Sequence, residues 1–448
     1  MSRPPSEDVV AFLSFSGGLS DRAGAIGKFN RRAWTRLLQW LDDSGLAFYF
    51  LKKLKDSHTT SAVPPWVRSR LENSFQANHA RVDHMSRRFG LINSRFNDAG
   101  VRYVVVKGFS LVPEYCPDAP LRHQGDFDYL VEGSSVRSAS RVLLDAGYVA
   151  KASRSIHEWI FVSPGGAPSR SGRQYSPQAP HAVELHTDLW DSGLHGVPSI
   201  PNLFSVDRAR TREWNGLAFP ALADEDAFLV QVVHACHHVF TLWIRMSCFF
   251  EIACFLASRA SDTGLWNRIE ERVGESLMLR EFVVIASELA AQLFAAPLPS
   301  LIRTWGASLR PAARIWMTHY AHRWAFVELP VYQFSLFPRS KLAQFLRQQF
   351  QGGSLPMAAR ARHDSYRTSR LARAASSLRK QPSLILNTAW WNQQMFVRRG
   401  IFQALASARY FCEIPRWQWL NRTGARSVTD SLSRQVREGS LESDPHTS

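Results

Sequence analysis

Apolar residues recur at helical spacing from residue 28 to 54, through Trp34, Leu37, Leu38 and Leu41 and then Leu46, Phe48 and Leu51. That is the stripe a helix turns toward a core. Pro64 and Pro65 break the run, and a second helix is expected over 66–99, with Leu71, Phe75, Met85, Phe89, Leu91, Ile92 and Phe96 as its buried stripe and Gly100 as its stop. The pattern then changes to short β-type runs at 101–106, 127–131, 159–162 and 182–185. Between the second and third runs, Val136, Ala139, Val142, Leu143 and Ala146 form one helical face closed by Gly147. The stretch 163–180, rich in Gly, Pro, Ser and Arg, is expected to be an exposed connection at a hairpin tip. Helices are expected again at 222–240, 242–260, 265–274, 276–295 and 311–327.

The β-type runs carry the chemistry. In a strand alternate residues face the same side, so Asp126 and Asp128 project together while Phe127, Leu130 and Val131 are free to be buried. Two carboxylates in one small space repel unless a divalent cation sits between them, and hard oxygen ligands suit Mg²⁺ or Mn²⁺. Two metal ions for phosphoryl or nucleotidyl transfer need a further acid. Glu184 meets that need, because alternation in the run Ala182, Val183, Glu184, Leu185, His186 sets Glu184 and His186 on the face opposite Val183 and Leu185. Lys107 and Gly108 close the first run ahead of an expected short helix, where a glycine lets backbone N–H groups approach phosphate oxygens. Arg122, four residues before Asp126, offers a fork of donors to the same phosphates. His186 is the nearest candidate proton acceptor.

Composition narrows the class. A chain of 448 residues with 45% hydrophobic and 21% charged residues is globular and long enough for more than one core. The formal net charge of +16 points to an anionic partner. Residues 331–448 hold 18 basic against 6 acidic side chains, so most of the excess lies there. Only 8 of the 54 basic residues are lysines. Five cysteines, at 116, 236, 248, 254 and 412, form no CxxC pair, which argues for a reducing compartment. Residues 1–25 lack the basic start and apolar run of an export signal, and the apolar stretch 240–257 is interrupted by Arg245 and Glu251. A soluble cytoplasmic protein is the expectation.

The order of Lys107-Gly108, the turn Pro113-Glu114-Tyr115, Arg122, the run Asp126-Phe127-Asp128-Tyr129-Leu130-Val131 and the later Val183-Glu184-Leu185-His186 resembles a nucleotidyltransferase family within the DNA polymerase β superfamily. The helical preface and the His-rich helix at 229–256 share in the resemblance, which covers roughly residues 70–260. It implies an α+β fold, a small mixed-sheet core embedded between helical N-terminal and C-terminal regions. It also implies Asp126, Asp128 and Glu184 as catalytic metal ligands for Mg²⁺ or Mn²⁺, with Lys107, Gly108, Ser110 and Arg122 around a nucleoside triphosphate. The expected organisation is a helical region at 1–100, the core at 101–190, a helical domain packing on it at 191–335, and a basic, partly helical region at 336–448 ending in a disordered tail.

Other candidates are weaker. His234 and His238 share a helix face, but no acid lies between them as in HExxH; they are expected to be packed histidines bordering the site, and a zinc site there would need a third ligand, for which Glu251 is one candidate. Cys236, Cys248 and Cys254 are expected as small buried hydrophobes. Arg360, Arg362, Arg367, Arg370, Arg373, Arg379 and Lys380, with nearby tryptophans, suit a non-specific nucleic acid or an anionic surface. Two readings follow: a nucleotidyltransferase moving a nucleotidyl group to an unidentified hydroxyl or amine, or a non-catalytic basic adaptor on the same scaffold.

Overall fold

The computed structural model describes residues 4–151, 157–164, 174–189, 203–240, 245–319 and 321–326, with residues 415 and 419. The chain divides into two compact units, Met1–Gly306 and Ala307–Ser448. The basic stretch 331–448, and the adaptor reading that rests on it, lie outside the described residues except at 415 and 419.

The first unit opens with α1 (Pro5–Leu13), α2 (Leu19–Gly27), α3 (Arg31–Ser44) and α4 (Ala47–Asp56). The apolar stripe over 28–54 is therefore two helices. Asn30 caps α3 by accepting from the Ala33 N–H, and Gly45, at φ +76°, ends it. Any β-carbon at residue 45 would come within 2.7 Å of Ser247 Oγ, so the break also lets another helix pass close. The long helix α5 (Pro65–Asp98) follows as expected and stops at Gly100, φ +62°. Its buried side includes Leu71, Met85, Phe89, Ile92 and Phe96, but Leu91 is exposed.

Seven strands make one mixed sheet in the order β3-β4-β5-β2-β1-β7-β6. They are β1 (Tyr103–Val105), β2 (Asp126–Val131), β3 (Val149–Lys151), β4 (Glu158–Val162), β5 (Ala182–His186), β6 (Ala209–Trp214) and β7 (Leu217–Leu222). Helix α6 (Val136–Asp145) connects β2 to β3. β1 runs antiparallel to β2, while β2 and β5 are parallel. The fold is α+β, as the resemblance implies. The hairpin β6–β7 departs from the expected pattern. Its turn residues Asn215 and Gly216 both have positive φ, the geometry of a two-residue hairpin turn. β4 and β5 pair antiparallel, so 163–181 is a hairpin connection. Its described end is not an exposed tip: Tyr175 is buried and donates to Asp42 Oδ1 at 2.8 Å.

Alternation sorts the central strands. Phe127, Tyr129, Val131, Val183 and Leu185 face one core with Met85, Phe89, Ile92 and Phe96 of α5 and Ala139 and Leu143 of α6. Leu130, with Val104 and Val106, belongs to a smaller cluster that takes Val230 from helix α7 (Asp224–Phe240). Helices α8 (Met246–Arg259), α9 (Thr263–Val273) and α10 (Leu277–Phe294) pack around α7, and α11 (Ser300–Ala307) follows. In the second unit α12 (Pro311–His319) and α13 (Ala321–Phe326) are described. Among the described residues, no helix is long and apolar enough to cross a membrane.

Candidate active site

β2 and β5 bring the acids together by register. Asp128 lies directly opposite Glu184, Asp126 opposite Ala182, and Leu130 opposite His186. All of these stand on the sheet face turned away from the α5 core. His186 reaches back along the strand, its Nε2 lying 3.5 Å from Asp128 Oδ1 and 3.8 Å from Glu184 Oε2. One donor atom each from Asp128, Glu184 and His186 falls within 4.8 Å of the others. Asp126 precedes Asp128 by one full pleat on the same face.

The first crossing residue from β1 is a cation. Val106 N–H donates to the Asp128 carbonyl at 3.0 Å, and Lys107 then places Nζ 3.1 Å from Asp128 Oδ1. Burial works against the Lys107 ammonium, but Asp128, Asp126 and Glu184 together outweigh it and hold the lysine above its ordinary value. Burial would likewise raise Asp128; Lys107 and His186 overcome that and keep it well below the usual carboxylate range. The other two acids go the opposite way. Burial, then Asp128, raise Asp126, and burial, then Asp128 and Asp126, push Glu184 up to about 7.

The short helix expected after Lys107 is a single 3₁₀ segment, Gly108–Leu111. Gly108 has φ +72°, and a β-carbon there would meet Gln124 Nε2 at 2.4 Å. Ser110 donates to the Lys107 carbonyl at 3.3 Å, so its hydroxyl braces the turn. Arg122 is buried and donates through Nε to Glu251 Oε1 at 3.1 Å, and Tyr49 donates to the same oxygen at 3.2 Å. Glu251 therefore partners Arg122 and does not serve as a third ligand for His234 and His238. Cys236 and Cys248 are buried and Cys254 is half-buried, none of them in a disulfide.

Three supporting residues were not anticipated. Arg81 of α5 is buried and donates to the carbonyls of Gln124 at 3.1 Å, Ser176 at 3.1 Å, Ala179 at 2.7 Å and Pro180 at 3.4 Å. It thus ties together the chain entering β2 and the chain entering β5. Asn78, one turn earlier, donates to the carbonyls of Pro120 and Arg122 at 2.8 and 3.2 Å. Arg245 donates to the His123 carbonyl at 2.8 Å and, with Arg122, adds positive charge near Asp126. The only advance signal was a charged residue inside an apolar run, at Arg245 and Glu251.

Acids from two adjacent strands thus meet on one sheet face, with Lys107 and Gly108 at the end of β1 beside them. The model of a family described as an uncharacterised nucleotidyltransferase matches residues 30–295, more than half of the chain, and the protein belongs to that family. No curated protein and no solved structure matches the chain.

Proposed function

We propose that the acidic face binds a nucleoside triphosphate together with Mg²⁺ or Mn²⁺ and transfers its nucleotidyl group to a hydroxyl or amine acceptor. The observation that carries this reading is the register of Asp128 against Glu184, which joins carboxylates from separate strands with Asp126 on the same face. The site fits a hard cation. Its donors are carboxylate oxygens from two strands, and a cation already stands at Asp128 in the form of Lys107. Asp126, Asp128 and Glu184 would hold the metal, which supplies charge neutralisation and alignment at the α-phosphate.

The remaining roles belong to the chain. Lys107 orients the phosphates as a point charge at the mouth of the Gly108 turn. Arg122, fixed on Glu251, contributes positive potential beside Asp126. His186 Nε2 borders two carboxylates, so it is placed to receive the acceptor's proton. In the transfer the acceptor oxygen or nitrogen bonds to the α-phosphorus, its proton passes to that base, and the bond to the bridging oxygen breaks to release pyrophosphate.

The test is thermal unfolding of the full chain with ATP, GTP, CTP or UTP, with and without Mg²⁺ or Mn²⁺. A ligand at about 100 times its dissociation constant stabilises by about 2.7 kcal/mol, or several degrees. At least one nucleotide should give a metal-dependent shift that the Asp126→Asn/Asp128→Asn variant loses. A folded protein that shifts with none of them, or whose shift survives in the variant, refutes the proposal.

A further inference from the structure

α7 and α8 bring three other metal-binding side chains into contact. His234 and His238 lie one turn apart on α7 with ring centroids 4.7 Å apart. Cys248, in the first turn of α8, sets its Sγ 3.8 Å from His234 Nδ1. One donor atom from each of the three lies within 4.8 Å of the others. His238 and Cys248 are buried, and His234 is half-buried. None of the three belongs to the carboxylate face.

The distances and the chemistry agree on one kind of ion. Tetrahedral zinc, with Zn–N of about 2.0–2.1 Å and Zn–S of about 2.3 Å, holds its nitrogen and sulfur ligands about 3.6 Å apart. The observed 3.8 Å between Cys248 Sγ and His234 Nδ1 matches that spacing. Two imidazoles and a thiolate make a borderline-soft set that suits Zn²⁺ and is foreign to Mg²⁺. The i, i+4 spacing of the histidines presents both rings from one helical face, and the third ligand arrives from a different helix, as a closing metal clip requires.

We infer that His234, His238 and Cys248 form a zinc site with three protein ligands and a fourth position left for water. Binding converts the Cys248 thiol to a thiolate, with its proton released to solvent, because the ion's charge replaces what burial denies the free sulfur. Burial, followed by the charge of Glu251, raises the metal-free thiol to about 11; without the ion the sulfur is an inert core atom. A zinc ion there would pin the start of α8 to α7. The pinned segment carries Arg245 and Glu251, which bond to the His123 carbonyl and to Arg122.

The experiment uses the full-length protein, dialysed first against zinc and then against metal-free buffer. Zinc is measured by elemental mass spectrometry, and a parallel sample is loaded with Co²⁺ for absorption spectroscopy. The expected result is about one zinc per chain and, with cobalt, a near-ultraviolet thiolate-to-metal band alongside tetrahedral visible bands. Cys248→Ser should lose the near-ultraviolet band, His238→Ala should lose the zinc, and Asp128→Asn should keep both. Should Cys248→Ser fail to fold by circular dichroism, His234→Ala at the half-buried position takes its place and should release the zinc. A folded protein that retains no zinc overturns the inference. So does zinc that leaves with Asp128→Asn and stays with Cys248→Ser, since the carboxylate face would then be its holder.

Discussion

Gly108 carries two constraints at once. Its φ of +72° lies in the left-handed region, and its missing β-carbon makes room for the Gln124 amide, which donates to the Asp126 carbonyl at 3.1 Å. Gly108→Ala therefore strains the backbone and pushes Gln124 away from the first residue of the acidic strand. The expected loss is about 1–3 kcal/mol, measured as a lower urea midpoint. Adding Gln124→Ala should restore the part due to crowding and leave the part due to φ. An unchanged midpoint in Gly108→Ala would show that the turn has no need of glycine. Beside this turn, the Lys107 ammonium and the buried Asp128 carboxylate each hold the other in its charged form.

At the level of elements, the site is a junction between two loops clamped by one helix. Among the described residues Arg81 has no carboxylate hydrogen-bond partner; it donates instead to four carbonyls at the entries to β2 and β5. Arg81→Met would leave those carbonyls unsatisfied in a buried place, at a cost of 3 kcal/mol or more by the usual worth of hydrogen bonds to charged groups, about 1.5–3 kcal/mol each. Urea unfolding should show that loss, and Arg81→Lys, with its single point of donation, should recover only part of it. Stability within about 0.5 kcal/mol of the parent would exclude the clamp. Little of this clamp was legible in the sequence. Asp126, Asp128, Glu184 and His186 could be placed on one face because alternation is local and strict. Arg122 could not be paired in advance, since Glu251 is 129 residues away and only the tertiary fold joins them. Likewise β6, an edge strand whose six residues include four exposed ones, has little apolar alternation to betray it. The Asn215-Gly216 turn was its one sequence signal. The helices were read well where a stripe and a stop coincided, as at α5, and were fused where the stripe continued across Gly45.

Over the whole molecule, buried histidines set the acid side of stability. His181, just ahead of β5, is buried and shares a 2.7 Å hydrogen bond with the Tyr148 hydroxyl. Burial, then Arg81, lower it to about 4. Because the unfolded chain takes up the proton near pH 6.5, this contribution is complete above that pH. It is lost as pH falls toward 4, by about 3 kcal/mol in total. Replacing His181 by Gln should flatten the pH dependence of unfolding between pH 6.5 and 4 relative to the parent protein; equal slopes would rule out the contribution. Long-range contacts also close the unit on itself. Tyr49 bonds to Glu251, 202 residues away, and the Phe15 N–H donates to the Phe294 carbonyl at 2.7 Å. For a nascent chain this closure is a matter of waiting. At about 5–20 residues per second, roughly 15–60 s separate the synthesis of Phe15 from that of Phe294. Through that interval α1, whose Phe12 is fully buried once folding ends, has yet to meet α10, against which it packs. Ribosome-bound chains should therefore depend on chaperones until α10 has emerged.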